Sequence, residues 1–100
     1  MHRAYTADEA RAIFLREVKA LAEYWGHLAG KSQQEVADGV AFSLLALLDG
    51  AAMDFCAVDI LLKPHPDDTA YQQDQGAPWF EAGQNIAGSL HTLWHTAEDA

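Results

Sequence analysis

Two helix-start signals lie in the first third of the chain, at residues 6–9 (TADE) and 32–35 (SQQE). Both are capping boxes, in which the Ser or Thr hydroxyl accepts a hydrogen bond from the third helical amide and the Glu side chain reaches back to the cap amide. The first box predicts a helix that begins at about Ala7. The second predicts a helix from about Gln33 to Leu48, which Asp49 and Gly50 end.

The first predicted helix has one apolar face. Gly30 is its predicted end, which gives about six turns and leaves a loop of only a few residues before the second helix. The two helices are therefore expected to pack as an antiparallel hairpin. In the second helix the apolar residues after Gly39 spread around more than one face, so its C-terminal half is expected to be buried on most sides. The apolar face of the first helix is formed by Phe14, Val18, Leu21, Trp25 and Leu28.

Residues 55–62 (FCAVDILL) predict a strand, because they are short, aliphatic and bounded by turn formers. Pro64 and Pro66 end this segment, since neither can donate to a ladder. A lone strand is not stable by itself, so we expect it to pair with residues 69–73 or 79–82, or with the same strand of a second copy. The face expected to pack on the helices consists of Cys56, Val58, Ile60 and Leu62.

The predicted fold class is α+β, in a single domain over residues 1–100. An N-terminal antiparallel helical hairpin packs on a small sheet of two or three strands, which a dimer partner can complete. Residues 64–84 outside the pairing segments are expected to be ordered turn. A short C-terminal helix follows from about Asn85 or Ser89, and residues 98–100 are expected to fray. The apolar residues of that last helix are Leu90, Leu93, Trp94 and Ala97.

The chain is strongly acidic, with a net charge of −9 from 15 acidic and 6 basic side chains. Five of the six basic residues lie in residues 1–31. Because phosphate backbones and anionic membrane surfaces are bound mainly by Lys and Arg, we expect neither nucleic acid nor a membrane as a partner. The charge is compatible with a basic protein partner, a cation or simple solubility.

Cys56 is the single cysteine, so no disulfide can form within the chain. This usage is typical of a reducing compartment. The sequence has no apolar signal-peptide region, and its apolar runs are shorter than the roughly 20 residues of a membrane span. We therefore expect a cytoplasmic location.

The richest cluster of chemically active residues is PHPDD at residues 64–68, directly after the predicted strand. Farther on, His91 and His95 are four residues apart on the predicted last helix, so both imidazoles can point the same way. With a carboxylate from elsewhere they could complete a three-ligand site for Zn²⁺ or another divalent metal. The alternatives are a turn in which Asp side chains bond nearby amides, and histidines exposed near the C-terminal end of a helix.

The HPDD run resembles the motif of the zinc-dependent N-acetylglucosaminyl deacetylase family, which also follows a strand. The resemblance implies that His65 and Asp68 are metal ligands and that Asp67 is the general base that activates a bound water. With the helix pair, the candidate metal ligands are then His65, Asp68, His91 and His95. The family's usual acidic residue after the motif is Thr69 here, and its fold is a much longer doubly wound domain.

A wider pattern resembles a group of small uncharacterised bacterial proteins. It consists of GVAFSLL at residues 39–45, LDG at 48–50, PHPDD at 64–68, Gly76, Trp79-Phe80 and IAGSLH at 86–91. This resemblance spans residues 33–95 and implies a complete single domain, without implying an activity.

Three functions from different classes remain open. The leading hypothesis is a non-enzymatic domain that binds a protein or self-associates, most simply as a homodimer, because one small chain is expected to leave part of its apolar surface uncovered. The second is a metal-dependent hydrolase or metal-binding protein that uses the PHPDD turn and the two helical histidines. The third is an acidic antitoxin or immunity-type protein that neutralises a basic toxin.

Overall fold

The computed structural model describes residues 3–52 and 54–95, and it is mainly helical. In these residues β pairing is limited to one isolated antiparallel bridge between Leu61 and Asn85. The predicted α+β fold with a small sheet is therefore wrong. The helices are α1 (Ala7–Gly26), α2 (Gln33–Leu48), α3 (Pro66–Asp74) and α4 (Leu90–Trp94).

Both capping boxes are formed, which confirms the predicted starts of α1 and α2. The Glu9 amide donates to the Thr6 hydroxyl at 3.2 Å, and the Glu35 amide donates to the Ser32 hydroxyl at 3.1 Å. In each box the Glu carboxylate accepts from the cap amide in return. The second helix ends at Leu48 as predicted, whereas α1 ends at Gly26, before the predicted Gly30.

The contact between α1 and α2 is built on one large and one small residue. The indole of Trp25 lies directly against Gly39, where an added Cβ would overlap its ring atoms. The indole Nε1 also donates to the Ser43 hydroxyl at 3.0 Å. The apolar stripe of α1 is half-buried, as the spacing predicted, and four of its charged residues are exposed: Arg11, Arg16, Lys19 and Glu23. Leu47 of α2 is buried, and its neighbours in the second half of the helix are at least half-buried.

Residues 55–62 are extended but do not form the predicted strand. The Val58 amide donates to the carbonyl of Leu48 at the end of α2, at 3.1 Å, and the Ile60 amide donates to the Asn85 side chain at 2.9 Å. These donors find a helix end and an amide side chain in place of a neighbouring strand, which satisfies the backbone without a sheet. Cys56, expected in the core, is exposed.

Residues 69–73, expected to pair as a strand, lie inside α3. Residues 79–82 are not a strand either; the partner of residues 60–62 is the segment 83–86. The amides of Leu62, Gly83 and Ile86 donate across this pairing at 2.8–2.9 Å. The expectation of a turn at PHPDD is also wrong, because Pro66 is the first residue of α3 and two Asp follow it, a helix-start pattern.

The last helix begins after Ser89, within the predicted range, but ends at Trp94 with His95 as its C-cap, so it is shorter than predicted. Ala97, predicted to belong to this helix, and residues 98–100, expected to fray, lie outside the described part of the chain. Among the residues that are described, no helix combines the length and the apolar character needed to cross a membrane.

Candidate functional site

The best-built polar cluster joins the end of α2 to the start of α4. Asp49 follows α2 directly, and its Oδ2 atom accepts from the backbone amide of His91 at 2.8 Å and from the imidazole Nδ1 at 2.5 Å. The amide of Leu90 also donates to this carboxylate. One side chain from α2 therefore satisfies amides at the beginning of α4 that the helix itself cannot pair.

This contact replaces a local cap. Ser89 occupies the N-cap position of α4 but has a left-handed backbone, with φ 57°, and its hydroxyl makes no capping hydrogen bond. Asp49 serves as the cap from 42 residues away. A carboxylate at a helix N-terminus is favoured by the helix dipole as well as by the amides. The start of α4 is thus fixed by tertiary contact with α2.

Asp49 is the most buried charged group of this cluster, since its side chain is 4% exposed while that of His91 is 32% exposed. Burial by itself raises the pKa of the Asp49 carboxyl, but hydrogen bonds from the amides and imidazole of α4 outweigh it and hold the pKa below its usual range. The second oxygen, Oδ1, is buried without a hydrogen-bond partner. The ionised form of Asp49 is therefore stabilised through one oxygen.

His91 of α4 and His95, the C-cap of that helix, both lie beside Phe42 of α2, although His95 is exposed. The Phe42 ring lies 5.7 Å from the His91 ring, edge to face, and 5.2 Å from the His95 ring, measured between centroids. The HxxxH spacing thus places both imidazoles against one aromatic side chain, as i and i+4 residues of a helix must be placed. The expectation that both point the same way is consistent with this packing.

The PHPDD residues lie at the other candidate location, the start of α3. His65 is the N-cap, and its Nδ1 accepts from the Asp67 amide at 3.1 Å. Asp67 and Asp68 occupy the first turn and are exposed. Thr69, where the deacetylase motif has an acidic residue, lies on the next turn, and its hydroxyl donates to the His65 carbonyl at 3.4 Å. In this structure the motif starts a helix.

The structure therefore brings His65, Asp67 and Asp68 together at α3, and His91 and His95 together at α4. Within residues 3–52 and 54–95, no three His, Cys, Asp or Glu side chains are grouped so that they could hold a metal ion. A zinc site built from these candidates stays a prediction without structural support.

Chemically, a buried carboxylate bonded to imidazole Nδ1 fixes the ring orientation and tautomer of His91. The same pairing orients histidines that act as bases or as metal ligands. Sequence reasoning treated Asp49 only as the end of α2 and missed this partnership. The available signal lay at Ser89-Leu90-His91, where a Ser precedes the helix but no acidic residue stands at the third helical position. The local capping box seen in α1 and α2 is therefore missing from α4, which indicates that its cap comes from elsewhere.

Apolar surface is the second feature of functional interest. An open groove of about 390 Å³ lies between α1 and residues 55–60. Phe14 of α1 and Phe55 pack in it with ring centroids 5.4 Å apart, and Arg11 and Asp59 also line it. Several large apolar side chains elsewhere are more than half exposed, including Tyr71, Phe80 and Leu61.

Comparison with known proteins adds no homologue: no protein-family model matches the sequence, and no curated protein or solved structure matches it significantly. The two sequence resemblances are therefore untested, and the interpretation of the site rests on its own geometry.

Proposed function

We propose that this chain functions by self-association, as one subunit of a homodimer whose interface covers apolar surface that a single chain leaves open. The observation that carries the proposal is the accessible surface, 8155 Å² for a chain of 10.9 kDa. A compact monomer of that mass exposes about 5,600 Å². The difference, roughly 2,500 Å², is comparable to the area that permanent protein interfaces remove from water.

The dimensions of the chain support the same proposal. Its radius of gyration is 17.5 Å and its extents are 50 × 47 × 20 Å, whereas a compact chain of this length has a radius of about 13 Å. The short dimension is about two helix diameters. A layer that thin has little interior, and Leu47 is the only apolar side chain that is buried among the described residues.

A single chain of this shape gains little from the hydrophobic effect, since burial of apolar area is the main favourable contribution to folding. A second copy supplies apolar surface of the same kind and closes the interface by twofold symmetry. This argument favours protein association over catalysis as the role of the chain.

The test is the mass in solution. Light scattering coupled to size exclusion between about 1 and 100 μM is expected to give twice 10.9 kDa, and the melting temperature is expected to rise with protein concentration, because dimerisation stabilises the folded state by mass action. A monomer whose melting temperature does not depend on concentration would overturn the proposal.

The same samples separate the two alternative functions. An apolar dimer is expected to persist in 0.5 M NaCl, whereas binding of a basic partner by an acidic antitoxin weakens as salt screens the charges. A Zn²⁺-dependent rise in melting temperature of protein without a His tag would favour the metal-binding alternative.

A further inference from the structure

One segment of the chain stands apart from the helical body. Residues 63–82, here called the arm, contain α3 and leave the body through the paired segments 60–62 and 83–86. The Asn85 side chain fixes this base, because it accepts from the Ile60 amide at 2.9 Å and donates to Asp59 at 2.9 Å. Among the described residues, α3 contacts none of the other three helices.

The arm carries exposed aromatic side chains. Tyr71 and Phe80 are each 67% exposed, and Trp79 is 45% exposed. Two open cavities of about 500 and 340 Å³ flank Phe80, and both are lined by arm residues alone. Exposed aromatic residues clustered on one short segment are typical of an interaction surface, in which they serve as the anchors.

The helical body carries a matching apolar groove. Most of the lining of this groove of about 390 Å³ is apolar, from Phe14, Leu48, Phe55, Val58 and Ile60, and its charged lining residues are Arg11 and Asp59. No arm residue lines this groove, and no groove residue lines the two cavities of the arm. Within one chain, therefore, the arm and the groove do not cover each other.

We propose that the aromatic side chains of the arm in each copy fill the groove on the body of a second copy, so that two arms clasp the dimer reciprocally. This inference rests on the proposed homodimer and identifies its interface. Twofold symmetry forms the arm-to-groove contact twice, which doubles the total area that the arms bury. The accessible surface of the chain exceeds that of a compact monomer by roughly 2,500 Å², and the two contacts would bury part of this excess.

The charges of the two surfaces favour a second copy as the occupant. The arm has four carboxylates, at Asp67, Asp68, Asp74 and Glu81, against one lysine, Lys63. The first 31 residues, which include α1 along one wall of the groove, hold five of the six basic residues against four of the 15 acidic ones, and the groove itself is lined by one charge of each sign, Arg11 and Asp59. An acidic arm approaching the least acidic part of a second copy meets less repulsion than two identical acidic faces would.

The first experiment compares Phe80→Ser with Tyr5→Ser by sedimentation equilibrium. Tyr5 is 71% exposed and lines neither the groove nor the arm cavities, so it is a matched control. Phe80→Ser is expected to raise the dimer dissociation constant more than roughly tenfold, as loss of an interface anchor does, while Tyr5→Ser changes it less than about twofold. Circular dichroism verifies equal helix content.

A second experiment tests the same arm-to-groove contact if Phe80→Ser fails to fold. A chain with Phe80→Cys and Cys56→Ser is mixed with wild type, whose exposed Cys56 lies between the groove residues Phe55 and Val58. Mild oxidation is expected to give disulfide-linked mixed dimers in higher yield than the same mixture made with Tyr5→Cys and Cys56→Ser. A disulfide-linked dimer supports the inference only if it contains one variant chain and one wild-type chain.

The outcomes separate the two proposals. A wild-type monomer would overturn self-association and the arm inference together. A wild-type dimer that Phe80→Ser does not weaken, with equal cross-linking from positions 5 and 80, would overturn only the arm inference. If the arm serves to bind a different protein, the expected result is this second one, a dimer that Phe80→Ser does not weaken.

Discussion

The carboxylate of Asp49 and the imidazole of His91 are hydrogen-bonded through Oδ2 and Nδ1 at 2.5 Å, and the same oxygen accepts from the His91 amide. Asp49 directly follows α2 and His91 is the second residue of α4, so this pair connects two helices through residues that are 42 apart in sequence. The contact buries a charge, which is tolerated because donors from α4 surround one of its oxygens.

We therefore expect Asp49→Ala and His91→Ala each to destabilise the chain. Each variant is expected to lower the melting temperature by roughly 5–15 °C, since removing one partner leaves buried polar groups unpaired. The loss in the double variant is expected to be smaller than the sum, which a double-mutant cycle measures. Asp54→Ala, an exposed carboxylate in the following loop, is the control, and additive losses at 49 and 91 would contradict the coupling.

Stability is expected to fall on acidification. The folded pKa of Asp49 lies below its ordinary value, and that of Glu9, held by Arg3 and the Thr6 amide, is lowered to about 2. Groups with a lowered folded pKa stabilise fully above the unfolded pKa of about 4, and this contribution is lost as the pH falls through the folded value.

Urea unfolding between pH 7 and 2, at fixed protein concentration, measures this effect. Asp49→Asn and Glu9→Gln are each expected to show a shallower loss of stability below about pH 4 than wild type. The control Asp54→Asn is expected to lose stability between pH 7 and 2 in parallel with wild type. A variant of Asp49 that keeps the full wild-type slope would show that its carboxylate is not selectively stabilised in the folded state.

Gly39→Ala is expected to destabilise the α1–α2 contact by about 1–3 kcal/mol, because the added methyl overlaps the Trp25 indole. The ring cannot easily move aside, since its Nε1 is bonded to Ser43. Alanine otherwise favours a helix interior over glycine by about 0.5–1 kcal/mol. Gly26→Ala, where an added Cβ meets nothing within 4 Å, is the control and is expected to stay within about 0.5 kcal/mol of wild type by denaturant unfolding.

Short sequence patterns specified those parts of the fold whose hydrogen-bond partners are close in the chain. Residues 6–9 and 32–35 contain both halves of each capping box, so the starts of α1 and α2 follow from four residues each. The apolar spacing of α1 likewise predicted its inward face. The helix start at Pro66 carried the same kind of local signal, a proline followed by two Asp, but the strand expected before it obscured that signal.

The hydrogen-bond partners of residues 55–62 and of the start of α4 depended on how distant parts of the chain pack together. The apolar pattern FCAVDILL suits a strand, yet a strand also needs a neighbour, and the available acceptors were the Leu48 carbonyl and the Asn85 side chain. The cap of α4 likewise comes from a residue distant in sequence, Asp49. A pattern of neighbouring residues specifies local hydrogen bonds, whereas partners brought together from distant positions depend on how the whole chain packs.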